Sequence, residues 1–269
     1  MLPAPRVAFL SLSKAKEVAH HQAVNAWHQL DHRPENLALD GVAHGERFVQ
    51  TPALAQTAAA AGDFTDFHYA NLYWFDEPTG PAIDTWAEFA EQSFREGRRP
   101  DIDLLDRAYM DFFHVVGAEV SPTLRLNERA LYFRPATGVI MIATEIPGSI
   151  SRTALHERSA WELDVLLPAL AAVPGISAAW ALHSAPALAP AAWQATEAAN
   201  GTGADRIMRV IWATTEIDPP GTVLARLREA EPAIALSAPT KQPGATRFVG
   251  ALETITPWQW DWFSQGENA

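Results

Sequence analysis

Apolar positions along the chain fall into two rhythms: short alternating or fully apolar runs that read as strands, and longer segments at helical spacing. Arg6 to Leu12 is a buried-strand candidate, and residues 15–32 form a helix with Ala19, Ala23, Ala26, Trp27 and Leu30 on one face. Pro34 disfavours helix at Arg33, so the helix is expected to end near His32. Gly41 to Val49 reads as a second strand, the Ala-rich stretch 51–62 as a short helical turn, and Phe67 to Phe75 as a third strand. Pro81 to Gly97 is a helix with Ile83, Trp86, Phe89, Ala90 and Phe94 at helical spacing, and Tyr109 to Val116 a fourth strand. The order is β-α-β-β-α-β, the split pattern of ferredoxin-like folds.

The second half repeats it. Strands are expected at Val139 to Thr144, Gly175 to His183, Ile207 to Thr215 and Phe248 to Ile255, with helices at Ser151 to Leu170 and 221–230. Trp27 and Trp161, Pro34 and Pro168, Gly41 and Gly175, and Val7 and Met141 all stand 134 residues apart. This reads as a tandem duplication with units 1–125 and 126–269. Each unit is a sheet with helices on one face only, and its bare face needs cover. The fold class expected is therefore α+β: two tandem ferredoxin-like units whose sheets pack face to face as an α+β barrel.

Composition narrows the function classes. The net charge of −12 argues against nucleic acid as a partner, whose phosphates require a basic face. No apolar run reaches the ~20 residues of a membrane span, and no secretory leader is evident, so a cytoplasmic location is the default. With no cysteine in the chain, disulfides, thiolate metal sites and a Cys nucleophile are excluded. Ten Trp and twelve Phe suggest aromatic-rich packing. The Trp258–Phe263 cluster is expected to tuck under the barrel or form an interface, which leaves room for a homodimer.

Trp27, Asp31, His32, Pro34, Gly41 and the Arg47-Phe48 pair stand in an order that resembles the EthD-like branch of the dimeric α+β barrel superfamily. The resemblance covers the first 50 residues by motif and the remainder by topology. It implies the barrel fold. It also brings a spread of activities: cofactor-free monooxygenases, isomerases, lyases, haem enzymes and non-catalytic proteins.

His32 is the leading candidate for chemistry. Placed where the helix is expected to stop, it would be a proton shuttle favoured in its charged form by the helix dipole, with Asp31 to orient it. Arg47 could hold a carboxylate or enolate. Tyr69, Asn71 and Tyr73 share one strand face and could line a pocket for an oxygenated aromatic, with His44 a further substrate contact. At the offset of 134, His32 becomes Leu166, Asp31 Val165, His44 Ala178 and Arg47 Ala181. The one-sided polarity puts the candidate site in the first unit, with the second as lid or scaffold.

A metal is not expected. His21, His28 and His32 share a helix face, but that face lies opposite the Trp27/Leu30 stripe and should point to solvent. Haem would need an axial histidine, for which His68 or His114 could serve. Phosphate-loop, dinucleotide and nucleophile-elbow patterns are lacking. The leading expectation is a cofactor-independent isomerase, lyase or oxygenase acting by proton transfer on an apolar, aromatic or polyketide-like carbonyl compound. A non-catalytic ligand-binding or assembly protein and a haem enzyme are the alternatives.

Overall fold

The computed structural model describes residues 4–191, 193, 206–234 and 244–263. The first half runs β1 (Val7–Ala15), α1 (His20–Trp27), a π turn (His28–His32), α2 (Arg33–Leu37), β2 (Val42–Val49), α3 (Pro52–Thr57) and a two-residue β3 (Ala59–Ala60). It continues through β4 (Tyr69–Phe75), α4 (Thr79–Arg95), α5 (Asp101–Leu104) and β5 (Leu105–Val120). After α6 (Glu128–Leu131), the second half follows as β6 (Gly138–Pro147), α7 (Arg152–Trp161), a π turn (Glu162–Leu166) and α8 (Leu167–Ala171). It ends with β7 (Ile176–Ser184), β8 (Arg206–Thr215), α9 (Pro220–Ile234) and β9 (Ala245–Thr254).

One antiparallel sheet holds these strands in the order β2-β4-β1-β5-β7-β8-β6-β9-β3, and a β2–β9 pairing closes it into a barrel. The β-α-β-β-α-β order occurs twice, each time with the lateral order second, third, first, fourth. The two seams between the halves differ in length. β5 pairs with β7 from Phe113↔Ser184 to Val120↔Ala178, whereas β2 and β9 share Phe48↔Thr254 and Val49↔Glu253. Serving both β1 and β7 explains why β5 runs well past both ends of the expected strand.

Alternation sorts each strand into an inner and an outer row. The inner rows fill the barrel with apolar side chains, among them Leu10, Leu72, Phe113, Met141, Trp180 and Trp212. The outer rows meet the helices. Outside the second half that layer is apolar, built from Ile140, Ile142, Ile211, Leu167, Leu170 and Leu227. Outside the first half, Val7, Phe9 and Phe112 pack under Ile83 and Trp86 of α4.

The first helix departs from expectation in two ways. It does not end at His32 but continues to Leu37, because the π turn absorbs Pro34: the Arg33 N–H bonds to the His28 carbonyl five residues back, just before the residue that lacks a donor. Leu167 repeats this with Glu162, just before Pro168. The buried stripe is also different. His21, Asn25, His28, Gln29, His32 and Asn36 face the sheet, while Ala19 and Ala23 are exposed and Leu30 is 39% exposed. Partner groups on the outer row of the sheet make burial of this polar stripe tolerable. Trp27 and Trp161 are only half-buried.

Equivalences at 134 residues hold beyond the original landmarks. Gly41 and Gly175 both sit at positive φ, +86° and +97°, and a strand bulge follows each, at Val42/His44 and Ile176/Ala178. Val7 and Met141 are not equivalent: Val7 faces the helix layer and Met141 the barrel interior, so β1 and β6 match out of phase.

Candidate functional site: a polar layer under the first helix

Outside the first half, the sheet and helix meet through polar side chains. β4 supplies Tyr69, Asn71 and Tyr73 on its outer row, and β2 brings Gly45 beside Tyr73 and Arg47 beside Asn71. A Cβ at residue 45 would lie 2.3 Å from the Tyr73 ring, so glycine is what lets that ring lie across β2.

The contacts form two linked groups. The Tyr69 hydroxyl accepts from Asn25 Nδ2 at 2.8 Å, so its own proton points to His21 Nδ1 at 2.6 Å. The Tyr73 hydroxyl accepts from Asn36 Nδ2 at 3.2 Å and lies 3.4 Å from His28 Nε2. Asn36 Nδ2 also meets His32 Nε2 at 3.1 Å, and the His32 ring stacks on Trp27 with centroids 4.7 Å apart. Asn36 therefore holds His32, whereas Asp31, the expected orienter, is exposed. With the helix continuing past it, His32 also lacks the terminal dipole assumed for it.

Arg47 is 1% exposed and meets neutral groups on its own side of the sheet. Its Nε donates to Asn71 Oδ1 at 3.1 Å, its Nη1 reaches Gln29 Oε1 at 3.5 Å, and its guanidinium lies 5.5 Å from the Tyr69 ring centre. Burial lowers its pKa to about 10, partly opposed by Tyr69, Tyr73 and Glu46. Burial, assisted by Arg47 and His32, holds His28 well below the ordinary histidine range. His21 is lowered to about 4 by burial and then by His68 and His20. Burial pushes the Tyr69 hydroxyl up to about 12 and raises Tyr73 as well. The layer thus holds one buried cation among neutral imidazoles and phenols.

A narrow cleft of about 70 Å³ opens beside this layer, between the first helix and α4. His28, His32, Asn71 and Tyr73 line it with Trp86 and Arg99. Three of the sequence-selected residues, His32, Asn71 and Tyr73, therefore meet in one space. Arg47 and Tyr69 belong to the same layer without lining the cleft, and His44 lies on the opposite side of β2. The sequence reading weighed His28 only as a metal ligand on a solvent-facing side of the helix and passed over Gln29, Asn25 and Asn36. Their spacing with His21 and His32 was a visible signal, once a polar stripe is allowed to face the sheet. Trp86 lines the cleft, and its indole N–H is buried with no hydrogen-bond partner among the described residues.

Haem does not fit these residues. The cleft is far below the ~300 Å³ lower bound of small-molecule pockets. His114 is exposed. His68 lies with His21 along a cavity of about 750 Å³ beside Trp262 and Phe263, but its Nδ1 accepts the Ala15 N–H at 3.1 Å. Its proton is then on Nε2, the reverse of a ligating histidine, whose second nitrogen is a donor. His21 is turned the same way by Tyr69, and Phe263 covers its face at 4.0 Å. Among the described residues, no group of three or more His, Asp or Glu side chains is placed to hold a metal ion.

No family model and no curated protein matches the chain. Solved structures match it along nearly its whole length. A candidate monooxygenase from Fusobacterium nucleatum aligns with a TM-score of 0.50 at 8% identity, over 95% of this chain and 94% of that one. The encapsulated DyP-type peroxidase from Mycobacterium smegmatis aligns with a TM-score of 0.50 at 9% identity, over 98% and 96%. At such identities the likeness concerns the fold: this is an α+β barrel of the dimeric, ferredoxin-like kind. Enzymes are built on that fold, and no helix among the described residues is long and apolar enough to cross a membrane.

Proposed function

We propose that the chain is a cofactor-independent enzyme that moves a proton on a small carbonyl compound in the cleft between the first helix and α4. The observation that carries this reading is the His28–His32 pair, 5.0 Å apart and edge to face, beside the unpartnered Trp86 donor. His32 takes a proton from the carbon next to the carbonyl on its Nε2, which exchanges the Asn36 amide for the substrate as it binds. The Trp27 face holds its ring. The oxyanion that forms is met by the Trp86 N–H, and the field of Arg47, transmitted through Asn71, lowers the cost of negative charge nearby. Return of the proton to another carbon gives an isomerase, and loss of a leaving group gives a lyase.

The cleft is smaller than the ~150 Å³ that encloses a benzene ring, so a ring-sized substrate enters only if side chains at the rim, such as Arg99, turn outward. The test is proton exchange. Simple aromatic ketones such as 1-tetralone are incubated in D₂O and followed by NMR. The native protein is expected to accelerate exchange at the carbon beside the carbonyl, and His32→Ala to lose ~10²–10⁴-fold of that rate. Absence of exchange across a ketone panel leaves the second reading, a binding protein without catalysis, and exchange that survives His32→Ala removes His32 from the role of base.

The same reading makes the chain a tandem duplication divided near 125/126 and related to the EthD-like branch. Support comes from the paired π turns, the paired positive-φ glycines and the paired bulges. A cytoplasmic setting belongs to this proposal too. So does a homodimer, for which Trp258, 76% exposed, offers apolar surface.

A further inference from the structure

On the other side of β2 the barrel end holds a second, larger space. The chain between β5 and β6 crosses this end and drops Leu131 and Tyr132 into the interior. Beside them a cavity of about 330 Å³ remains, within the ~300–1,000 Å³ range of small-molecule sites. Its deep walls are rings: Trp74 and Trp180 lie 5.7 Å apart, and Phe48 meets Trp212 at 5.1 Å. At the mouth, Phe133 is 57% exposed and stands edge-on to His44 at 5.4 Å.

The polar groups here fall into two kinds. The charges are already paired, Arg33 with Glu46 and Arg134 with Glu216, each at 3.2 Å. Two buried groups are not satisfied: the Trp180 indole N–H and the Thr254 hydroxyl have no hydrogen-bond partner among the described residues. Trp180 is only 2% exposed, so water does not reach it freely. An indole can only donate, and buried donors are ordinarily paired, so this one calls for an acceptor.

We propose that this barrel-end cavity is a second binding site, for a neutral flat aromatic molecule whose carbonyl oxygen accepts from Trp180 and Thr254. Balanced charges at the mouth exclude any preference for an ionic ligand. The ring walls supply faces and edges for stacking. Phe133 closes over the outer edge. The site is independent of the polar layer, since the sheet separates them and His44 and Arg47 point to opposite sides.

The probe is 9-fluorenone, a flat neutral ketone with no proton on the carbons beside its carbonyl, so it cannot act as a substrate in the other cleft. Binding is read by quenching of tryptophan fluorescence and by calorimetry. One equivalent is expected to bind saturably, Trp180→Phe to weaken binding about tenfold, and Arg99→Ala, at the other cleft, to leave it unchanged. If Trp180→Phe fails to fold, Thr254→Val gives the decisive reading, with several-fold weaker binding expected. No saturable binding up to the solubility limit, undiminished affinity in the folded variants, or loss of binding on Arg99→Ala overturns the proposal.

Discussion

His28 and Glu162 open the two π turns, 134 residues apart, and both are buried. In the second half, Glu162 receives Arg158 Nε at 3.1 Å and Arg209 Nε at 2.8 Å. Arg209 stands where Tyr69 stands in the first half, since Tyr69 pairs with Val49 and Arg209 with His183, again 134 residues apart. The second half thus satisfies its buried cations with a carboxylate. In the first half an uncharged imidazole fills the same place, and Arg47 meets only neutral partners in its layer.

Glu162→Gln should therefore destabilise the protein severely. Burial and the neighbouring Arg158 already lower the Arg209 pKa to about 9, and removing the carboxylate leaves two buried guanidiniums facing each other. Breaking such a pair costs about 3–5 kcal/mol. Urea unfolding measures it, and a loss below 1 kcal/mol would show that Glu162 neutralises nothing of consequence.

Stability should fall as pH drops from about 6.5 towards 4. His21 and His44 each fall to about 4 in the folded chain, both chiefly through burial, and His28 lies well below its ordinary value. In this window the unfolded chain takes up protons that the folded chain refuses, so unfolding gains. The slope is about 1.4 kcal/mol per pH unit for each such histidine. Glu46 and Glu253, raised by burial, oppose the trend but are fewer. Denaturant melts at pH 7.5, 6 and 5 test this, and His21→Asn should flatten the curve. A flat profile down to pH 5 would show that these rings charge freely.

Gly45→Ala probes the layer from beneath. The added methyl would sit 2.3 Å from the Tyr73 ring, which must then move away from Asn36 and His28. Such crowding in a packed layer costs about 1–3 kcal/mol. Ketone exchange should fall along with it, whereas an equally crowding Gly250→Ala, set against Phe248, should lower stability and spare exchange.

The barrel topology was legible because it rests on strong local signals: runs apolar but for one serine, such as Val7–Leu12, and Gly41 and Gly175 at turns that demand positive φ. The first helix was misread at its face and its end. An apolar stripe through Trp27 and Leu30 is the ordinary core signature, yet here burial follows Asn25 and Asn36, because the facing strand row supplies hydroxyls and a guanidinium. That fact belongs to the strand pairing and not to the helix. Pro34 reads as a stop, and only a π turn, which leaves no mark in composition, carries the helix past it. His32 follows from its residue type and its expected place at a helix end, and Asn71 and Tyr73 from strand alternation. Asp31 was chosen for adjacency in sequence, which on a helix points it elsewhere.

The unequal seams give the barrel a spine and a clasp. The β5–β7 edge is zipped along most of its length, while β2 and β9 touch at their tips, so the wall should breathe by parting at the clasp. The Ile255 N–H bonds to the Arg47 carbonyl at 3.0 Å, which puts the clasp on the residue that carries the buried cation. Each opening there lets solvent approach a guanidinium otherwise kept dry. The tightness of a two-residue join thus sets how often the charge beneath the first helix is hydrated, and with it how steadily that charge can act.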